Sequence, residues 1–132
     1  MPRRVGAQTL MLQIQPSILA GAAVAGKKEG EGPLGRSFDY ICQDAYFGES
    51  SWEKAESAML RRAFELACDK AGAAPSELDF ILSGDLLNQC AGSAYALRDL
   101  SPPYFGLYGA CSTMAESLLL GSLLLDGGCG KK

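Results

Sequence analysis

The tetrapeptide Gly109-Ala110-Cys111-Ser112 carries the side chain best suited to chemistry. It follows an apolar strand-like segment, Tyr104 to Tyr108, and precedes a helical run that starts at Thr113. A cysteine at such a junction sits near free backbone N–H groups and the positive end of a helix, and both favour a thiolate. Hydrolases build a comparable strand–turn–helix elbow around a serine nucleophile. A small buried cysteine fitted to a tight turn accounts for the same four residues about equally well. Catalysis by a thiol also calls for a base, commonly histidine, and the chain has none.

Asp85 is the second candidate, directly after the apolar Phe80-Ile81-Leu82 segment and Gly84. Ligands of open α/β sheets collect at the carboxyl ends of strands. Asp85 and Cys111 fall at two such ends, on what should be neighbouring strands, and so could face one pocket. The alternative is an N-cap for a helix starting at Leu86, a common use of aspartate. Capping does not exclude facing a ligand. Asn88 and Gln89, one turn further, add hydrogen bonds or are simply solvated. Glu116 suits a helix start and is given no chemistry. Cys42, Cys68, Cys90 and Cys129 belong to no motif.

These residues need elements to position them. Thr9 to Ile14 alternates like a strand, and Ile18 to Ala25 forms a second extended segment. The stretch from Gly26 to Gly35 is too rich in glycine for a regular element and lacks the order of a phosphate-binding P-loop. Ser50, with Glu53 three residues on, predicts a capped helix that ends at Gly72. Trp52, Ala55, Met59, Ala63, Ala67 and Ala71 form its apolar stripe, read as core, and Cys68 is expected to be structural. Pro75 to Asp79 is a turn, Leu86 to Leu97 a helix, and Thr113 to Leu125 a helix stopped by Gly127-Gly128. Alternation of strands and helices indicates an α/β protein with a mixed, largely parallel sheet. In the last helix, leucines 118–120 and 123–125 point nearly all round the axis. Such a helix must be buried on every side, which calls for a second layer or a partner subunit.

Composition narrows the class. The chain has 132 residues, enough for one domain, with 48% hydrophobic and 20% charged residues, as in globular proteins. A net charge of −3 gives no basic field for nucleic acid. Arg3-Arg4 and Lys131-Lys132 read as solvated tails. Five cysteines without CxxC spacing argue against a disulfide framework or a zinc site and fit a reducing compartment. Arg3-Arg4, Ile18 to Val24 and Ala23-Val24-Ala25 sketch a signal peptide, but Gln13, Gln15 and Pro16 interrupt it, so none is expected. No stretch reaches the ~20 apolar residues of a membrane span, so any membrane contact is expected to be peripheral.

Three stretches in order then carry a family resemblance: Gly26 to Gly35, Gly84-Asp85-Leu86-Leu87-Asn88-Gln89, and Gly109 to Thr113 with Glu116-Ser117, followed by Asp126-Gly127-Gly128. From about Gln8 to Gly128 the chain resembles the stage V sporulation protein AD family. The resemblance implies a thiolase-like fold of two similar halves. Residues 1–128 would be the N-terminal half, with its all-apolar helix sandwiched centrally, and 129–132 a truncated tail. It implies a pocket for dipicolinic acid lined by Asp85, Cys111 and Ser112, with no cofactor and no metal held by the protein. Because Asp85 would repel a bare carboxylate, calcium or a proton would have to lie between them, the ligand arriving as its calcium chelate in the first case. The implied setting is uptake of dipicolinic acid into the developing spore. The chain would be intracellular and peripheral at the spore inner membrane, among integral-membrane partners, and paired with a second half or a second copy. An acyltransferase using Cys111 with partners from a second half, and an inert fragment that only supports assembly, remain as alternatives.

Overall fold

The computed structural model describes residues 2–87 and 89–132; Asn88, one of the residues singled out above, lies outside them. The architecture is α/β, as expected, but the described strands form three separate two-stranded sheets and no continuous one. Strands β1 (Arg3–Val5) and β2 (Thr9–Met11) make an antiparallel hairpin turned at Gly6, whose φ of 70° suits glycine. Arg3 and Arg4 are therefore strand residues, though exposed, and not a loose tail. The extended segment expected from Ile18 is a strand only at β3 (Val24–Gly26), which pairs in parallel with β4 (Tyr40–Cys42). Between them, the stretch read as irregular contains a single helical turn, α1 (Lys27–Gly30). Glycine is needed there for close approach: a Cβ at Gly35 would collide with the Gly30 carbonyl.

Helix α2 (Trp52–Ala71) starts one residue later than predicted. Its N-cap is Ser51, whose hydroxyl accepts from the Lys54 N–H at 3.4 Å. Gly72 ends it in the left-handed region, at φ 62°. Leu60 and Phe64 of this helix pack on the core of Ile81, Ala96 and Leu97. Cys68 is buried, as expected of a structural thiol. Trp52 is not core: it is 53% exposed and stacks on Tyr46 at 4.4 Å between ring centroids. Ala55 in the same turn is buried, but the Trp52 side chain at the helix start is turned to the surface, so periodicity alone placed it wrongly. Arg61 joins α2 to the next helix, donating to the Ala96 carbonyl at 3.0 Å and to Asp99.

Strands β5 (Ile81–Ser83) and β6 (Tyr104–Gly106) are hydrogen-bonded parallel neighbours, which is the adjacency inferred for the Asp85 and Cys111 segments. Helix α3 covers only Ala91–Leu97, not Leu86 to Leu97. The chain cannot enter a helix earlier because Gln89 and Cys90 hold φ of 49° and 72°. Helix α4 (Thr113–Asp126) matches its predicted span to one residue. None of its residues is buried; Met114, Leu118 and Leu119 are 76%, 50% and 53% exposed. Its Gly121 faces Leu82 of β5. No described helix is long and apolar enough to cross a membrane.

Two carboxylates tie the periphery. Asp79 accepts from the Lys131 and Lys132 backbone N–H groups, so the last residues are solvated, as expected, but anchored through their backbone. Asp39 accepts from Lys70 Nζ at 2.7 Å and from the Ala23 N–H at 2.8 Å, joining the end of α2 to the approach to β3. The Lys70 hydrogen bond first, then Ala23, holds the Asp39 carboxyl below its ordinary value of 3.8. A depressed carboxyl stabilises fully above that ordinary value, and the contribution is lost as pH falls through the folded-state value. Wild type and Asp39→Asn are therefore expected to differ in thermal midpoint at neutral pH and to converge in acid below 3.8. Unfolding curves recorded across pH check this; a gap that persists in acid would exclude Asp39 as its source.

Candidate functional site

The parallel pairing of β5 and β6 delivers two connections to one end of that sheet. After β5 the chain runs through Gly84 and Asp85 towards α3; after β6 it runs through Leu107 to the 3₁₀ turn Ala110–Ser112 and into α4. They lie close together. A Cβ at Gly84 would collide with the Leu107 carbonyl and crowd the Thr113 methyl group at 2.7 Å, so only glycine permits this approach. The Leu107 N–H also donates to the Ser83 carbonyl at 2.9 Å.

Asp85 is 6% exposed and its carboxylate is turned inward. Oδ1 accepts from the Cys90 N–H at 3.1 Å. Oδ2 accepts from the Ser93 N–H and the Ser93 hydroxyl, both at 2.8 Å. The capping reading of Asp85 is thus realised at a distance, across the irregular residues before α3. The Ser93 hydroxyl also lies 2.7 Å from the Tyr104 hydroxyl, which donates to the Ser83 carbonyl at 3.3 Å. Burial is the largest influence on the Tyr104 phenol and pushes it up. From α2, Glu56 Oε1 accepts from the Leu86 N–H at 3.3 Å. Its buried Oε2 has no hydrogen-bond partner among the described residues. Glu56 Oε2 and Asp85 Oδ2 lie 3.0 Å and 3.4 Å from the position a Cβ would take on Gly92, so two carboxylates crowd one glycine.

Cys111 is exposed, the placement that an elbow nucleophile requires and that a buried turn cysteine does not have. Ala110 before it sits at φ 49°, a conformation that costs a non-glycine residue roughly 1–2 kcal/mol. The amides at the helix start are less free than expected. The Ser112 N–H donates to the Gly109 carbonyl at 2.9 Å and the Thr113 N–H to the Ala110 carbonyl. These 3₁₀ bonds satisfy groups that an isolated helix end would leave open. The Ser112 hydroxyl donates to the Gly109 carbonyl at 2.6 Å, and must turn away from it to reach a ligand. At Gly109 a Cβ would lie 2.5 Å from Ser112 Oγ and 2.7 Å from Glu116 Oε2, so a side chain there would require both of these rotatable groups to move.

The hydrogen bonds described for Asp85 go to Cys90 and Ser93, and that of the Ser112 hydroxyl stays within its turn. The two loops are joined instead by Cys90, whose thiol donates to the Leu107 carbonyl at 3.0 Å. Two grooves, of about 640 and 650 Å³, lie elsewhere, along α2, and neither is lined by Asp85, Cys111 or Ser112. Among the described residues no group of three or more His, Cys, Asp or Glu side chains is placed to hold a metal ion. Glu56, Cys90, Ser93 and Tyr104 were not candidates in the sequence, because their roles depend on packing between distant segments.

Comparison with known proteins adds to this geometry. A family model described as Stage V sporulation protein AD matches residues 6–132. Stage V sporulation protein AD of Bacillus subtilis (strain 168) is 35% identical over 127 residues, covering 96% of this chain. The chain spans 38% of the length of that relative.

Proposed function

We propose, on the premise that this chain belongs to the stage V sporulation protein AD family, that it binds dipicolinic acid for uptake into the developing spore. Membership itself places the chain in sporulation. The observation that best supports a ligand site is the convergence of the Asp85 and Cys111 loops at one end of the β5–β6 pair, where open α/β sheets bind ligands. Dipicolinate is a flat pyridine with two carboxylates. One carboxylate would lie at the positive end of α4, with the Ser112 hydroxyl rotated to donate to it. Asp85, being buried and fully engaged, shapes the loop that faces the ring. A calcium ion carried in by the chelate would offset its charge. The chain would act as one half of a thiolase-like protein, peripheral at the spore inner membrane beside integral-membrane partners.

The acyltransferase reading is favoured by one observation, the exposed Cys111 on a strained elbow. No histidine in the chain can take its proton. Mass spectrometry separates the two readings. Dipicolinate is expected to slow alkylation of Cys111 by iodoacetamide, while acyl-coenzyme A leaves no adduct that passes to an acceptor. Alkylation indifferent to dipicolinate, or an acyl group on Cys111 that transfers onward, would reverse the assignment.

A further inference from the structure

We propose that Cys90 is a positioning residue, the brace that holds the Asp85 loop and the Cys111 elbow in register. The inference rests on the binding site proposed above and adds a member to it.

Two hydrogen bonds converge on Cys90, and its side chain lies close to Gly106. Its N–H is held by Asp85 Oδ1 at 3.1 Å. Its thiol donates to the Leu107 carbonyl at 3.0 Å, two residues before the elbow glycine. Its Cβ lies 3.4 Å from the position a Cβ would take on Gly106, at the end of β6. One residue therefore grips both loops, through its backbone on one side and its side chain on the other. The backbone at Cys90 is left-handed, with φ 72°, a conformation that survives only where the surroundings dictate it. Behind it, Glu56, Ser93 and Tyr104 fix Asp85 and the start of the loop from α2, α3 and β6.

The thiol is suited to bracing and unsuited to attack. Burial first, then the negative charges of Asp85 and Glu116, pushes it up, so it keeps its proton and remains a donor. The requirement at position 90 is thus specific: a side chain that donates, on a residue that tolerates positive φ. Asparagine meets both conditions. Glycine accepts the backbone but has no donor.

The test compares Cys90→Gly with Cys90→Asn in the full chain. Hydrogen exchange of the 107–112 amides, the alkylation rate of Cys111 and the affinity for dipicolinate are measured. In Cys90→Gly the elbow amides are expected to exchange faster, Cys111 to change its alkylation rate, and dipicolinate to bind roughly three- to tenfold more weakly, the loss of one hydrogen bond. Cys90→Asn is expected to restore all three towards wild type, a rescue that a merely space-filling role would not produce. Glycine and asparagine variants that behave alike, whether both intact or both loosened, overturn the brace. Exchange does not involve the ligand. Wild-type protein that fails to bind dipicolinate would therefore remove the functional reading, and exchange would still decide whether Cys90 braces the elbow.

Discussion

Asp85→Arg is expected to abolish dipicolinate binding and to destabilise the chain by several kcal/mol, because buried donors lose their acceptor at a cost of roughly 1–3 kcal/mol each. Both effects follow from one geometry. The carboxylate is 6% exposed and accepts hydrogen bonds from the Cys90 N–H, the Ser93 N–H and the Ser93 hydroxyl. Arginine offers only donors, so three donors would face a guanidinium with no acceptor between them. The loop would have to swing outward, carrying Cys90 from its contact with Leu107 and releasing the elbow. Asp85→Asn should be milder, because the amide oxygen can still accept while its NH₂ faces a donor. Thermal unfolding and surface plasmon resonance with dipicolinate, run on both variants, check the pair of effects. Arginine tolerated with unchanged affinity would remove Asp85 from the site.

The second large effect concerns α4. Burying one leucine fully contributes roughly 1.5–3 kcal/mol, and whole domains are stable by about 5–15 kcal/mol. Leu118 and Leu119 remain half exposed and Met114 three-quarters exposed, and no residue of α4 is buried. Left in water, this helix forgoes a large share of the stability a domain can have. The chain on its own is therefore expected to self-associate through α4, or to bind a hydrophobic dye, with the second copy standing where a second half would pack. Analytical ultracentrifugation should show concentration-dependent dimers or larger species, and Leu118→Glu with Leu119→Glu should return the chain to a monomer. A dye-silent wild-type monomer that unfolds cooperatively would contradict the half-fold reading, since it would mean that the chain covers this helix itself.

Much of the scaffold could be read from residue types. Gly72 marked the end of α2, the leucines of α4 marked an apolar helix, and the 104–113 segment marked a strand, a turn and a helix start. Each of these signals is local. The features that were misread depend on contacts or on backbone states that periodicity does not encode. Leu87, Ala91, Ala94 and Tyr95 are spaced for a helix, yet the left-handed backbone at Gln89 and Cys90 delays its start until Ala91. Trp52 lies on the apolar stripe of α2, but its side chain is turned to the surface and stacks on Tyr46. Arg3 and Arg4 looked like a tail because a three-residue, exposed, charged strand carries no apolar alternation of its own, although its partner at Thr9–Met11 does. At the site itself, Asp85 and Cys111 were visible as strand-end residues. The inward turn of Asp85 and the bridge through Cys90 were not, since they required knowing that Ser93 and Leu107 lie beside them.

The central claim is that the paired loops bind dipicolinate, and calorimetric titration tests it most directly. Dipicolinate is titrated into protein carrying both halves, once with calcium present and once with a chelator. Saturable binding is expected with one site per chain, stronger with calcium, because a cation offsets the negative charge that Asp85 brings to the loop. No saturable heat under either condition, with the protein shown to be folded, would contradict it.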